Sequence, residues 1–566
     1  MTAAVTSLSR IKVLVLDCQT TGATPERGSL LEIAWCRTRA SAGKPARIHS
    51  RLVALPEGET IPRRITAITG IAEADLDHAV PAELAWRELR AGAPGQGPEL
   101  AVIHSAAFEL RFLRAINTEH GGGVAFPLEP ICTLQIARRL YPELPRRGLH
   151  ALAGYFGQHT PELKRATAHV EATVVVWRAL IRELAGQGVR ELHQLHDWLV
   201  GPAPARKAGH RFLMPREVRL NLPEGSGVYM FKGSRGRVLY VGKAKSLKRR
   251  VNSYFQKRRR VAERTLELLT QVRDVEVFET GSALEAAMLE ADRIKRFDPP
   301  YNVALRQRDR QVQFFSPDLC SSSDRPGSRH RIGPIPGEPL LRGLGRLQRL
   351  LERDRASRIG ARTVEQVLAR PPEYLPDVTC FREGLALFRE AHGSEPLLTL
   401  GTALWAARLE ATAEPEQDDL DAGAAEEEED EEWEWTPERV AAAIEWQAVH
   451  GAHLVRRARW LVLSSECSLC WKAPDRRQRR RLLTVERGDL AGVGELRRGE
   501  SLPIPSGWHR SVRARQRFLD AAAYDRLRVL TTEIRRLVAE NRAPRLRLGP
   551  DIVLDQSRLV RGLRWF

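Results

Sequence analysis

Between Gly227 and Asn302 a closely spaced series of polar residues is threaded through short apolar segments, and this stretch limits the fold more than any other. Val228-Tyr229-Met230-Phe231 and Val238-Leu239-Tyr240-Val241 read as two strands, with Lys232-Gly233-Ser234-Arg235-Gly236-Arg237 as the turn of a hairpin. Such a hairpin would bring Tyr229 and Tyr240 close together. Gly242 follows, where the strand gives way to a helix and backbone and substrate can approach closely. Leu247, Val251 and Tyr254 are spaced four and three apart, so they share one face of a helix that also carries Lys248, Arg249 and Arg250. A second helix is expected from Ala283 to Phe297, opened by a Ser282/Glu285 capping box and carrying Glu290. Pro299-Pro300-Tyr301-Asn302 ends the series.

Those residues, in that order, resemble the GIY-YIG nuclease domain found at the N-terminus of UvrC and in its shorter homologue Cho. The resemblance runs from Asn221 to Leu305. It implies hydrolysis of a DNA phosphodiester, which needs an activated water, an electrophile for the charge building on phosphate, and help for the leaving oxygen. It assigns Tyr240 as general base with Tyr229 in support, and places Lys243 and Tyr254 in the same catalytic set. Glu290 would hold a single hard cation, Mg²⁺ or Mn²⁺. Arg250 would stabilise the transition state by a bidentate phosphate contact, and Asn302 would close the site. A phenol of pKa near ~10 is a poor base at neutral pH, so a nearby cation such as Lys243 is expected to lower it. Lys245, Lys248, Arg249 and Lys257 are expected to contact DNA. Only 11 of the 89 basic residues are lysines, yet four of them, Lys243, Lys245, Lys248 and Lys257, fall within fifteen positions. A lone strand tyrosine is ordinarily a packing residue and a lone helical glutamate a solvated one, and Glu285 or Asp292 on the same helix looks equally good by residue type. The joint spacing argues otherwise.

With 566 residues the chain has room for three or four domains. Its net charge of +18 points to a polyanionic partner. Glu414 to Glu434 holds 13 acids and no base, so removing those charges from the +18 total leaves +31 on the rest. No apolar run approaches the roughly 20 residues that span a bilayer. Met1 to Arg10 does not read as a signal peptide, and seven scattered cysteines suggest reduced thiols. The expected location is cytoplasmic, associated with the nucleoid.

In the first 190 residues, strands at Ile11–Leu16, Leu30–Cys36 and Ala101–His104 alternate with helices at Pro62–Gly70, after His104, at Leu149–Phe156 and at Ala166–Leu180. This order resembles the DnaQ-like exonuclease domain, of RNase H-like fold. The carrying motifs are Asp17-Cys18-Gln19-Thr20-Thr21-Gly22, His104-Ser105-Ala106-Ala107-Phe108-Glu109 and Lys164-Arg165-Ala166-Thr167-Ala168-His169-Val170-Glu171-Ala172-Thr173. That family holds two metals between four carboxylates, with a histidine base five residues before the last acid. Here Asp17 stands, Gln19 replaces the second acid, Glu109 takes the third place and His169 the fourth, while Lys164 occupies the histidine position. Two negative charges remain where four are needed to offset the repulsion of paired Mg²⁺ ions. Exonuclease activity is expected to be lost or severely reduced.

The expected organisation is multidomain α/β and α+β. It comprises an RNase H-like exonuclease-fold domain (1–190), a linker (191–220), a GIY-YIG fold of small antiparallel sheet and helices (221–306) and a Cho/UvrC-like connector and helical region (307–410). An acidic linker (411–436) and a C-terminal α+β region (437–566) follow. Within these, Leu340 to Asp354 and Tyr524 to Asn541 read as amphipathic helices and Trp460-Leu461-Val462-Leu463 as a strand. Cys467-Ser468-Leu469-Cys470 has the spacing of half a zinc site with nothing to complete it. Arg476 to Arg481 reads as a basic hairpin tip, either a phosphate contact or a solvated face. UvrC's second endonuclease site and paired helix-hairpin-helix modules have no counterpart, so one incision is expected, on the 3′ side of a lesion in damaged or structured duplex DNA. A UvrB-type loader is the expected partner, in nucleotide excision repair. The rivals are a proofreading-type 3′→5′ exonuclease and a non-catalytic DNA-binding scaffold.

Overall fold

The computed structural model describes residues 7–42, 47–93, 97–158, 164–202, 209–256, 261–303, 311–337, 339–353, 359–368, 375–411, 434–473, 479–506 and 508–563. Lys257, nearly all of the acidic run and Arg476-Arg477-Gln478 lie outside these residues. The chain forms two compact units. One comprises residues 1–280 with 299–303, the other residues 281–298 with 304–566.

The first unit opens with a five-stranded sheet of β1 (Val13–Thr20), β2 (Leu30–Thr38), β3 (His49–Leu52), β4 (Glu99–Ile103) and β5 (Leu128–Cys132), ordered β3-β2-β1-β4-β5. β1 runs antiparallel to β2 and parallel to β4. All eight residues of β1 are buried, as a central strand covered on both faces requires. Alternation sends Val13 and Val15 to one core with Trp177 and Leu180 of helix Ala166–Gly186, and Leu14, Leu16 and Cys18 to the other with Trp86 and Leu113. Asp17 therefore lies inside β1, which runs on to Thr20 beyond the expected end at Asp17. The expected linker is also partly structured. Helix Leu192–Val200 buries Leu195 in the first core, and Arg139 donates to the Leu199, Gly201 and Pro202 carbonyls at that helix's C-terminus.

In the same unit β6 (Gly227–Lys232), β7 (Val238–Ala244) and β8 (Asp274–Glu279) form an antiparallel sheet ordered β7-β6-β8. Helix Glu263–Gln271 meets helix Leu149–Tyr155 of the preceding domain through a polar cluster. The Tyr301 hydroxyl donates to Glu267 Oε1 at 2.8 Å, Gln271 Nε2 donates to Tyr301, and His150 Nδ1 bonds the same carboxylate. Burial would raise the Glu267 carboxyl, but the bonds from His150 and Tyr301 hold it below its ordinary value.

Among the described residues the second unit has two large cores and a small cluster of Cys470, Leu496 and Leu502. The first gathers Leu341, Leu344 and Leu347 of helix Pro339–Arg353, Phe381 and Phe388 of helix Val378–His392, and Ile444 of helix Pro437–Ser464 around β9 (Val312–Phe315), β10 (Ser322–Ser323) and β11 (Ile332–Pro336). The second lies on the sheet β14-β13-β12-β15-β16, built from β12 (Cys467–Lys472), β13 (Arg480–Glu486), β14 (Asp489–Leu496), β15 (Arg545–Arg547) and β16 (Val553–Leu554). Helix Ala521–Ala539 covers it with Leu527, Leu530 and Ile534, and helix Ala283–Phe297 adds Leu284 and Met288.

Trp460 to Leu463, expected as a strand, close helix Pro437–Ser464. A four-residue apolar run has no period of its own, and this one continues a helix that begins at the Thr436 cap. Cys467 and Cys470 are buried in β12 as free thiols. Of the basic run, Arg479 pairs with Glu495 and Arg481 with Glu285, each at 2.8 Å, so these two serve internal ion pairs.

Lys295 and Asp525 form a nearly solvent-excluded ion pair in the second core. Asp525→Ala is expected to lower the unfolding free energy of this unit by about 3–5 kcal/mol, measured by urea unfolding, with Lys295→Met/Asp525→Leu recovering most of the loss. In the first unit, the depressed Glu267 carboxyl contributes stability that is full above its ordinary value of 4.5 and is lost as pH falls through its lowered value. Glu267→Gln should therefore lose less stability than wild type between about pH 5 and 3, in thermal melts read against pH.

Candidate active site

In the antiparallel register of β6 and β7, Tyr229 faces Gly242 and Phe231 faces Tyr240, so the two tyrosines share one face of the sheet. Their ring centroids are 6.1 Å apart. Tyr229 is fully buried, and its ring lies across Gly242, where a Cβ would stand 2.4 Å from the Tyr229 hydroxyl. The glycine thus makes room for a tyrosine of its own sheet. Helix Leu247–Tyr254, capped by Ser246, delivers Tyr254 and Arg250 from above. The Tyr229 and Tyr254 hydroxyls hydrogen-bond at 2.8 Å, and Arg250 Nη2 donates to the Tyr254 hydroxyl at 3.3 Å. The Arg250 guanidinium also lies over the Tyr254 ring, 5.0 Å from its centroid, and remains solvent-exposed. Tyr240 is half-buried beside them.

The phenol of Tyr229 is pushed far above its ordinary value, first by burial, then by the neighbouring Tyr254 and Tyr240 rings. For this tyrosine the expected lowering by Lys243 is overturned, because desolvation outweighs any positive charge nearby. Tyr229 is a neutral hydrogen-bonding partner. Lys243 is exposed one position along β7 from Gly242.

Asn302 does something the sequence did not suggest. β7 is an edge strand, and the Asn302 side chain completes it, accepting from the Val241 N–H and donating to the Val241 carbonyl, both at 2.9 Å. Both Asn302 polar atoms are thus spent on the backbone between Tyr240 and Gly242, fixing the strand that presents the half-buried tyrosine.

Lys245 and Arg249 are exposed, and Lys248 is half-buried, 3.8 Å from the Glu224 carboxylate. Glu290 is half-buried on helix Ala283–Phe297, whose N-terminus has the expected cap, with Ser282 Oγ accepting from the Glu285 N–H.

At the other candidate site β1 supplies Asp17 and Gln19, helix Ala106–His120 supplies Glu109, and helix Ala166–Gly186 supplies His169. The structure brings these four together. His169 Nδ1 lies 3.1 Å from Asp17 Oδ1, and Gln19 Nε2 donates to Asp17 Oδ2 at 3.3 Å. Both Asp17 oxygens are thus engaged by side chains. Burial and the Asp17 charge push Glu109 well above the carboxylate range. His104 is driven down to about 4 by burial, then by His169 and Arg138, while its Nδ1 lies 2.9 Å from Thr133 Oγ1. Lys164 is exposed. Among the described residues no group of three or more His, Cys, Asp or Glu side chains is arranged to hold a metal. A two-metal centre does not fit this donor set, which offers one carboxyl group already engaged by Gln19 and His169 and a second biased toward its protonated form.

Residues 225–303 match the UvrC-like GIY-YIG domain and residues 14–169 match the exonuclease family. Both segments are therefore domains of nuclease families. The chain carries a DnaQ-like exonuclease-fold domain followed by a UvrC-type GIY-YIG domain. A Mycobacterium tuberculosis protein named as a bifunctional exonuclease/endonuclease is 32% identical over 246 residues, 43% of this chain and 36% of that protein. The UvrABC system protein C of Carboxydothermus hydrogenoformans is 46% identical over 86 residues, 15% of this chain and 14% of that protein. The chain thus spans well under half the length of these curated relatives. Among solved structures, the magnesium-bound N-terminal GIY-YIG endonuclease domain of Thermotoga maritima UvrC is 34% identical, with 16% of this chain matching 100% of that one at a TM-score of 0.15.

Asn302→Ala would strand two buried backbone groups of an edge strand. An expected loss of about 2–6 kcal/mol follows from about 1–3 kcal/mol for each of the two orphaned groups. Amide exchange at Val241 should accelerate in step, whereas Asn302→Asp, which keeps the acceptor, should protect that amide better.

Proposed function

We propose that this protein is a metal-dependent, structure-specific DNA endonuclease acting through its GIY-YIG site. The observation that carries this reading is the hydrogen-bonded series Tyr229–Tyr254–Arg250 beside the half-buried Tyr240. Arg250 keeps an exposed guanidinium for a phosphate oxygen, which suits bidentate recognition of the charge that grows in phosphoryl transfer. Tyr254 orients that guanidinium and receives its own orientation from buried Tyr229. Tyr240, less buried than Tyr229, is the tyrosine assigned to take the proton of the attacking water. Glu290 is the carboxylate for a single Mg²⁺ or Mn²⁺, and a half-buried acid on a well-capped helix suits a hard cation that keeps most of its waters. That cation supplies Lewis-acid stabilisation of phosphate and leaving oxygen. Asn302 acts through the backbone of β7, and Lys243, Lys245 and Arg249 offer exposed charge for the DNA backbone.

By the same reading the protein works in nucleotide excision repair. It makes one nick on the 3′ side of a lesion with help from a UvrB-type loader, and it resides with the nucleoid in the cytoplasm. The exonuclease-fold domain then serves as a DNA-binding or docking module, its cation chemistry lost with the acids at positions 19 and 169. A second reading keeps a 3′→5′ exonuclease in that domain. What favours it is the gathering of Asp17, Glu109 and His169, together with the name of the M. tuberculosis relative.

The deciding experiment is cleavage of internally and end-labelled lesion-bearing duplex in Mn²⁺. A discrete internal nick is expected in wild type and in Asp17→Ala, with losses of about 10²-fold or more in Tyr240→Phe and Glu290→Ala. A ladder shrinking from the 3′ end and abolished by Asp17→Ala would establish the second reading instead. Salt-sensitive DNA binding without cleavage in either cation would leave the scaffold.

A further inference from the structure

The function just proposed leaves the region after residue 437 without a part, yet the helix that carries Glu290 belongs to the same compact unit as that region. Its apolar residues Leu284 and Met288 sit in one core with Leu527, Leu530 and the sheet of β12 to β15. Three ion pairs then tie its flank to the same region. Arg481 of β13 meets Glu285 at 2.8 Å, Arg526 meets Asp292 at 2.9 Å, and Lys295 meets Asp525. Arg526 is itself held by the Gly488 carbonyl at 3.1 Å and by Asp489. Arg481 lies so close over Gly281 that a Cβ there would stand 1.7 Å from its Nη2.

The positions of these contacts matter more than their number. At about 100° per residue, Glu285, Met288, Asp292 and Lys295 fall within one quadrant of the helix. Glu290 lies about 140° from Glu285 on the same count, on the opposite side. A helix gripped by salt bridges three turns apart along one face can neither roll about its axis nor slide along it. The direction in which Glu290 leaves the helix is set by that grip. Solvated ion pairs would do this poorly, but Arg481, Arg526 and Lys295 are each at most 20% exposed, so their geometry is held by packing.

We propose that the C-terminal α+β region is a built-in support for the metal ligand of the GIY-YIG site, with Arg481 and Arg526 as positioning residues for Glu290. The inference rests on the reading of Glu290 as the cation's carboxylate. These arginines touch neither substrate nor cation. They act on metal affinity through the helix, as an outer-shell partner of a metal ligand does. On this reading residues about 180 and 225 positions beyond Asn302 tune the cation affinity of the site.

The test uses the full chain. Mn²⁺ binding is followed by titration calorimetry and by the electron paramagnetic resonance signal of the free ion, taking as the site's own binding the part that Glu290→Ala abolishes. Nicking is measured against Mn²⁺ concentration in parallel. In Arg481→Ala/Arg526→Ala, this component should weaken about tenfold or more, the half-saturating Mn²⁺ for nicking should rise by the same factor, and the rate at saturating Mn²⁺ should be largely regained. Arg526→Lys should restore part of the affinity. Arg536→Ala, which breaks pairs to Glu533 and Glu540 on the same helix as Arg526 without reaching the Glu290 helix, should leave it unchanged. A double variant that melts cooperatively and binds Mn²⁺ as wild type does would overturn the proposal, as would an Arg536→Ala variant equally impaired. If Glu290→Ala abolishes no Mn²⁺ binding, the assignment of Glu290 itself fails and this inference with it.

Discussion

A buried hydroxyl must find a hydrogen-bond partner, and Tyr229 is where this chain meets that demand. Its ring fills the space that a side chain at position 242 would take, and its hydroxyl is then answered by Tyr254. Tyr254 can only be there because Leu247 and Val251 seat their helix on the sheet. Arg250, one turn before Tyr254, is carried along and stacks on it. One desolvated phenol thereby organises a glycine, a helix and an exposed guanidinium. Burial has the opposite effect on chemistry. It makes Tyr229 a worse acid and keeps it a neutral hydrogen-bonding partner, while Tyr240 beside it is less buried.

The first domain shows the same physics with a different result. RNase H-like topology still converges Asp17, Glu109 and the position of His169 on one end of the sheet, because strand order and helix packing are set by apolar residues that remain in place. The charges are what changed. With Gln19 and His169 as neighbours, Asp17 finds its partners within the protein, and Glu109 relieves the repulsion by moving toward the protonated form. Fold and cation chemistry make separate demands, since the first needs hydrophobic burial and the second needs uncompensated carboxylates.

Much of this was legible in order of residues alone. The hairpin of β6 and β7, the face shared by Leu247, Val251 and Tyr254, and the Ser282 cap are local patterns, and local patterns survive translation into structure. The degenerate acids of the first domain were visible as plain substitutions. Trp460 to Leu463 misled because four apolar residues carry no period, and only the helix running up from Thr436 decides their conformation. Asn302 stood out by its spacing, but its work on the Val241 backbone did not, because nothing in a sequence says which strand will be an edge.

The sequence by itself determined which chemistry the chain is equipped for. Two strand tyrosines, an arginine, one helical glutamate and a late asparagine at fixed spacing are covalent facts, and so is the loss of acids in the first domain. Only the tertiary structure decided how those groups behave. Whether a phenol is buried, which strand lacks a neighbour and which arginine from Arg481 or Arg526 reaches the glutamate helix depend on contacts between residues as much as 234 positions apart. Desolvation and ion pairing are properties of such contacts, so they come into being only when the chain has folded.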